Sequence, residues 1–175
     1  MMKRKNLSGE RCPIARSLER VGEWWSLLII RDALHGLCRF DEFQQSLAIA
    51  PNILSRRLAT LVENGLLEKH PYNTRPLRYE YRLTDAGRGL EPVLFTLLQW
   101  GNTHFSPEGA SILLAERTTG TLVEPTLFDQ VHQKPISLAT HQLVAGPAAD
   151  GKMAARLARA AAQHQADSAT KENTP

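Results

Sequence analysis

Apolar residues recur every three or four positions from Cys12 to Leu61, the period of a buried helical stripe, and then alternate one by one between residues 66 and 83. Cys12-Pro13 opens a first helix that reaches about Val21. Cysteine takes the N-cap and proline the first helical position, where its missing N–H costs nothing. Gly22 breaks this helix. A second, roughly Trp24 to Leu34, is apolar on most faces (Trp24, Trp25, Leu27, Leu28, Ile29, Ile30) and is predicted to be central to the core. Gly36 ends it. Arg39 to Leu47 form a third, with Phe40, Phe43 and Leu47 as one buried stripe at i, i+3 and i+7. The fourth starts near Pro51 and stops at Asn64-Gly65, because glycine adopts the left-handed conformation without steric cost. On its wheel Leu54, Leu58 and Leu61 share one face. Asn52, Ser55, Arg56 and Ala59 share the opposite one, with Arg57 on the flank.

Leu66 to His70 and Arg78 to Leu83 are expected to pair as a hairpin. In the second strand Arg78, Glu80 and Arg82 alternate with Tyr79, Tyr81 and Leu83. The tip, Tyr72 to Pro76, is turn chemistry carrying a cation, Arg75. Thr84 caps a further helix that runs to about His104 and is expected to kink near Arg88 because Pro92 lies inside it. Its apolar stripe (Leu90, Val93, Leu94, Leu97, Leu98, Trp100) is too wide for packing against one small domain. A two-fold dimer is the common solution. Ser106 to Gly109 reads as a linker. Residues 112–146 fall into short β-like runs, 152–165 into an Ala-rich helix, and 166–175 into a polar tail predicted to be disordered. The basic residues 1–10 read as a mobile arm. The fold class is therefore α+β, mainly α, with three parts: 1–105, a strand-rich extension over 106–165, and the tail.

Charge adds one point. The net charge is only +3. Residues 1–105 hold 15 Lys/Arg against 11 Asp/Glu, and residues 106–175 hold 6 against 7. The positive excess belongs to the first part, where a polyanionic partner would need it. No apolar run approaches the roughly 18 residues of a membrane span, and no apolar segment follows the basic N-terminus as in a signal peptide. With only two cysteines, the reading is a cytoplasmic protein without a disulfide framework or a membrane partner.

A short helix, a tight break, a second helix with an arginine-bearing face and a hairpin form the sequence pattern of a winged helix-turn-helix. A recognition helix enters the major groove of double-stranded DNA when one face packs on the core and the other shows short polar and basic side chains. Arg56 is suited to a guanine edge, and Asn52 and Ser55 to adenine or phosphate. Arg57 is suited to phosphate, and Arg75 at the tip, with Arg78 beside it, to the minor groove or backbone. The chain resembles the HxlR-type transcriptional regulators, winged-helix relatives of the MarR group. The matching elements are CPIARSLERVGEWWSLLIIRDALHG, RFDEFQQSL, IAPNILSRRLATLVENGLLEK, RPLRYEYRLTDAGRGLEPVL and LLQW, almost continuous over residues 12 to 101. The resemblance implies a homodimer built on terminal helices that binds an operator and acts as repressor or activator of nearby genes; an inverted-repeat operator and repression are the expectation. It says least about residues 106–175.

Cys12 is the candidate sensor. A helix N-terminus favours thiolate, with Arg11 adjacent and Arg16 one turn on. The resemblance implies, for some members, a cysteine here that senses oxidants or electrophiles. Against this stands a plain N-cap cysteine without chemistry. Cys38, before the third helix, reads as structural. Trp24, Trp25 and Trp100 are candidates for a non-covalent effector pocket, with core packing as the ordinary alternative. The six histidines show no metal spacing, and no cofactor loop or catalytic motif is found. Glu116, Asp129 and His141 form no recognisable constellation, so no enzyme is expected. A winged helix used only for protein docking remains open.

Overall fold

The computed structural model describes residues 9–172, with side chains to His164. Most of the predicted N-terminal arm, and residues 173–175 of the predicted tail, lie outside them. The chain divides into two compact units. One runs from Arg20 to Pro125; the other joins the residues up to Glu19 with those from Thr126 onward. The boundary drawn at 105 does not coincide with this division, because the first hairpin of the C-terminal extension belongs with the helices before it.

Seven elements make the body of the first unit. After α1 (Pro13–Val21), which carries the division between Glu19 and Arg20, come α2 (Trp24–Leu34), α3 (Phe40–Leu47), α4 (Pro51–Glu63), β1 (Leu67–Thr74), β2 (Leu77–Leu83), α5 (Asp85–Arg88) and α6 (Glu91–Phe105). The core is continuous through them. Ile29, Ile30, Phe43, Leu54, Leu58 and Leu61 have no exposed surface, and Val21, Ile49, Leu66, Leu67 and Leu83 close around them. The predicted stripes of α3 and α4 thus face inward. Helix α2 is central through Ile29 and Ile30, but Trp24 at its start is 63% exposed. The turn between α3 and α4 has Ala48 in the left-handed region and tucks Ile49 into the core.

Strands β1 and β2 are antiparallel, with Leu67 opposite Leu83 and Thr74 opposite Leu77. They extend further than the alternation suggested. Tyr72 to Thr74, expected in the tip, continue β1, and a register shift between Pro71 and Asn73 absorbs one extra residue. Bulges are where a strand tolerates proline. Only Arg75-Pro76 remain as the turn. Backbone pairing of Arg39 with Glu80, and a Tyr81 N–H to Cys38 C=O bond of 2.7 Å, tie the hairpin to the start of α3.

The helix expected from Thr84 to His104 is broken rather than kinked. The Thr84 hydroxyl accepts from the Gly87 N–H and donates to Gly65 C=O, so α5 is pinned to the end of α4. Gly87 is buried so close to the Leu66 carbonyl that a Cβ would collide with it. Pro92 then sits in the first turn of α6, where it starts a helix instead of interrupting one. No residue of α6 is fully buried. Leu90 and Leu94 lean on the core, while Val93, Leu97 and Trp100, at i, i+4 and i+7, are about half exposed or more. A hairpin of β3 (Leu114–Ala115) and β4 (Leu122–Val123) completes this unit, its turn held by Glu116 accepting from the Thr118 and Thr119 N–H groups.

The second unit contains α1 up to Glu19, a hairpin of β5 (Phe128–Asp129) and β6 (Lys134–Pro135), and α7 (Gly151–Glu172). Helix α7 passes through residues 166–172, predicted to be disordered; no glycine or proline interrupts it, and alanines sustain it.

Candidate nucleic-acid interface

Helix α4 is fixed by what it buries. Pro51 pre-sets its first turn, Ile53 and Leu54 N–H groups reach back to Ala50 C=O, and Gly65 at φ 69° ends it. With Leu54, Leu58 and Leu61 sealed inside, geometry alone turns Asn52, Ser55 and Arg56 outward, and all three are exposed. Arg56 makes no ion pair among the described residues, and its carbonyl accepts the Thr60 hydroxyl. The face is polar, cationic and sterically open.

Arg57 is placed differently from its expected phosphate-facing position. Its guanidinium donates to Glu23 Oε2 at 2.8 Å, with the arginine side chain only 14% exposed. Glu23 is the N-cap residue of α2. The pair braces α4 against α2. Asn64 adds a second brace by donating to Arg20 C=O at 3.3 Å.

The hairpin carries Arg75 at its turn and Arg78 on β2, both exposed and without an ion pair among the described residues. The Arg75 N–H donates to Asn73 Oδ1, which orders the tip. Two cations that sequence reading passed over join them. Lys69 lies over the Tyr79 ring at 3.8 Å, and Arg39 over the Tyr72 ring at 4.6 Å. Arg39 also donates to Glu80, which Arg82 holds from the other side at 2.9 Å. Arg82 chiefly, and Arg39 with it, keep the Glu80 carboxyl below its ordinary range. No sequence signal marks Arg39 as part of the wing, because 41 residues separate it from Glu80. Glu42 does carry a signal, three residues after the cap, and it accepts the N–H groups of both Cys38 and Arg39.

Cys38 is half-buried. Burial first, then Glu80 and Glu42, push its thiol up. Cys12 is opposite in character. Backbone N–H groups at the start of α1, chiefly that of Ala15, and the Arg156 guanidinium 3.9 Å from Sγ draw its thiol down. The arginines expected to do this are engaged elsewhere. Arg11 reaches Ala148 C=O and Asp150, and Arg16 donates to Glu10 C=O. Arg156 lies 144 residues from Cys12, beyond the reach of local pattern.

The tryptophans form two groups. Trp24 and Trp25 stack at 4.1 Å, whereas Trp100 packs edge-on against Phe105 at 4.8 Å and near His104. Asp129 and His141 do meet, and with them His132. Asp129 Oδ2 lies 2.6 Å from His132 Nδ1 and 3.2 Å from His141 Nε2, which holds its carboxyl down at about 2. Glu116 stands apart in its own hairpin. Among the described residues no group of three His, Cys, Asp or Glu side chains is placed to hold a metal, and no helix is long and apolar enough to cross a membrane.

Comparison with known proteins agrees with this geometry. The family model for the HxlR-like helix-turn-helix matches residues 20–109. An uncharacterized HTH-type transcriptional regulator of Mycobacterium tuberculosis, Rv3095, is 45% identical over 116 residues, 66% of this chain and 73% of that protein. Among solved structures, PA1374 of Pseudomonas aeruginosa, a candidate transcription factor, is 53% identical with a TM-score of 0.62, covering 83% of this chain and all of that one. PA1607, another candidate transcription factor, is 39% identical with a TM-score of 0.72, covering 79% and 98%.

Proposed function

The chain belongs to the HxlR-like helix-turn-helix family of transcriptional regulators, and from that premise we propose that it represses transcription as a homodimer on an inverted-repeat operator. The observation that carries the proposal is the division of α4: three leucines without exposed surface on one side, and Asn52, Ser55 and Arg56 open on the other. Arg56 reads a base edge in the major groove, Asn52 and Ser55 support it, and Arg75 and Arg78 hold the wing on adjacent backbone or minor groove. Arg57 serves by holding α4 in place through Glu23. The exposed Val93, Leu97 and Trp100 of α6 are the surface a second copy would cover. Two recognition helices related by a two-fold axis read half-sites about 34 Å apart.

Regulation enters through Cys12. The approach of Arg156 to its sulfur favours a thiolate that electrophiles or oxidants attack, and adduct formation releases the operator. A non-covalent effector held by the tryptophans has less support, since Trp100 stacks with neither Trp24 nor Trp25.

Fluorescence anisotropy with DNA from upstream of the gene tests the reading. A saturable, sequence-selective complex of two chains per operator, weakening steeply as salt rises, is expected. A protein-docking module would give no selective complex. In the same assay, retained release by an electrophile in Cys12→Ser would remove the sensing role.

A further inference from the structure

The family match begins at residue 20 and ends at 109, yet a cavity of about 470 Å³ lies wholly outside that span. It is walled on one side by Glu10, Arg11 and Cys12, and on the other by the first turns of α7 and the Asp150 before them. Lys152, Arg156 and Arg159 fall at i, i+4 and i+7 on α7, so one helical face delivers three cations to it. Arg11 is a fourth. Only Glu10 and Asp150 oppose them, and Asp150 is already engaged, accepting from the Met153 N–H at 2.8 Å and facing Arg11 at 3.9 Å. Lys152 and Arg159 have no ion pair among the described residues. The start of α1 beside Cys12 and the start of α7 bring two helix N-termini to the same space, and both favour negative charge. Arg156 links the two walls of this cavity by approaching Cys12 Sγ, while on its own helix it meets Met153 Sδ.

We propose that this cavity selects small carboxylate-bearing electrophiles, the cations of α7 holding the carboxylate while Cys12 attacks carbon. The proposal rests on the reading of Cys12 as a reactive thiol and specifies what reaches it. Its volume suits a small molecule. The chemistry needs no oxidant. With an α,β-unsaturated carboxylate, the thiolate pair forms a C–S bond at the β carbon, the π pair moves to the α carbon, and water protonates that carbon. With a haloacetate, the C–S bond forms as the carbon–halogen bond breaks and halide leaves with its electron pair. In either case the adduct occupies the place where Arg156 meets the sulfur, so the effector acts on α7 as well as on α1.

The test compares anionic iodoacetate with neutral iodoacetamide, scoring modification of the Cys12 peptide alone by mass spectrometry. The quantity read is the ratio of the two rates at Cys12. Charge steering of the anion predicts that this ratio falls about tenfold in Lys152→Gln/Arg159→Gln. It also predicts a fall in the unaltered protein when salt is raised to about 0.5 M. A ratio indifferent to both changes, with Cys12 still modified, overturns the anion selectivity and leaves the thiol reading intact. No modification of Cys12 by either reagent overturns the thiol reading, and the selectivity with it.

Discussion

The unit from Arg20 to Pro125 is built around apolar side chains that exclude water; the unit formed by the two chain ends is built almost entirely from polar contacts. Among the described residues, all eleven buried hydrophobic ones lie between Val21 and Leu83. In the other unit no described residue is fully buried, and Leu127, Val131, Leu138, Leu143 and Val144 are more than half exposed. Its geometry comes from Asp129 between two histidines, Arg11 on Asp150 and Ala148, and Arg156 over Cys12. The contrast fits the division of labour proposed above. A base-reading helix has to be held rigidly, which a sealed core provides. A regulatory segment has to yield to a ligand, and weakly buried structure opens at low cost.

The largest expected effect probes that contrast directly. Leu58→Ala leaves a cavity in the sealed core and lowers stability by about 2–5 kcal/mol. Leu157→Ala on α7 costs less than about 1 kcal/mol, as for a substitution outside a packed core. Urea melts read both, with tryptophan fluorescence for the first unit, which holds all three tryptophans, and circular dichroism for α7. Equal costs would erase the distinction.

Next in size is the reading face. Arg56→Ala weakens operator binding by about 1–3 kcal/mol and relaxes the preference at one base position. Arg75→Ala weakens all sequences alike and lowers the salt slope by about one. Anisotropy against single-base operator variants separates them, and a uniform loss for Arg56→Ala would make it a phosphate clamp.

Smaller still is Glu23→Gln, which removes the charge partner of Arg57. As a brace, the pair contributes about 1–2 kcal/mol of stability, and its loss weakens DNA binding by letting α4 shift. Were Arg57 a phosphate contact, removing the nearby carboxylate would tighten binding. The direction of the change in affinity therefore decides the role of Arg57.

The smallest effect belongs to the polar cluster. Because the Asp129 carboxyl is held down at about 2 against an ordinary 3.8, its contribution is complete above about pH 4 and is lost as pH falls through about 2. Asp129→Asn removes that acid transition from the His132 and His141 imidazole resonances in NMR spectra and leaves the tryptophan-detected melt unchanged. A shifted melt would mean that the histidine cluster also supports the winged unit.

Legibility followed the same division. Helices α2, α3 and α4, the hairpin and the inward leucines could be read because burial imprints a period on neighbouring residues. Asn52, Ser55 and Arg56 were legible as what remained opposite Leu54, Leu58 and Leu61. The break at Gly89-Leu90 was not. Pro92 is compatible with both a kink inside one helix and the start of another, and only the Thr84 cap with the Gly87 contact to Leu66 selects the second. The extent of β1 was missed because Pro71 and Asn73 look like turn residues until a bulge accommodates them.

What the sequence determined by itself is the winged helix-turn-helix, its core and its outward face, since each follows from local periodicity and from caps a few residues apart. Only the tertiary structure decided which cations are available and which are committed. It turned Arg57 to Glu23, placed Arg39 over Tyr72 and brought Arg156 to Cys12. Those pairings span 33 to 144 positions in the chain. A charge on a flexible stem leaves no periodic trace of its partner, so its role is fixed only when folding brings the partner within reach.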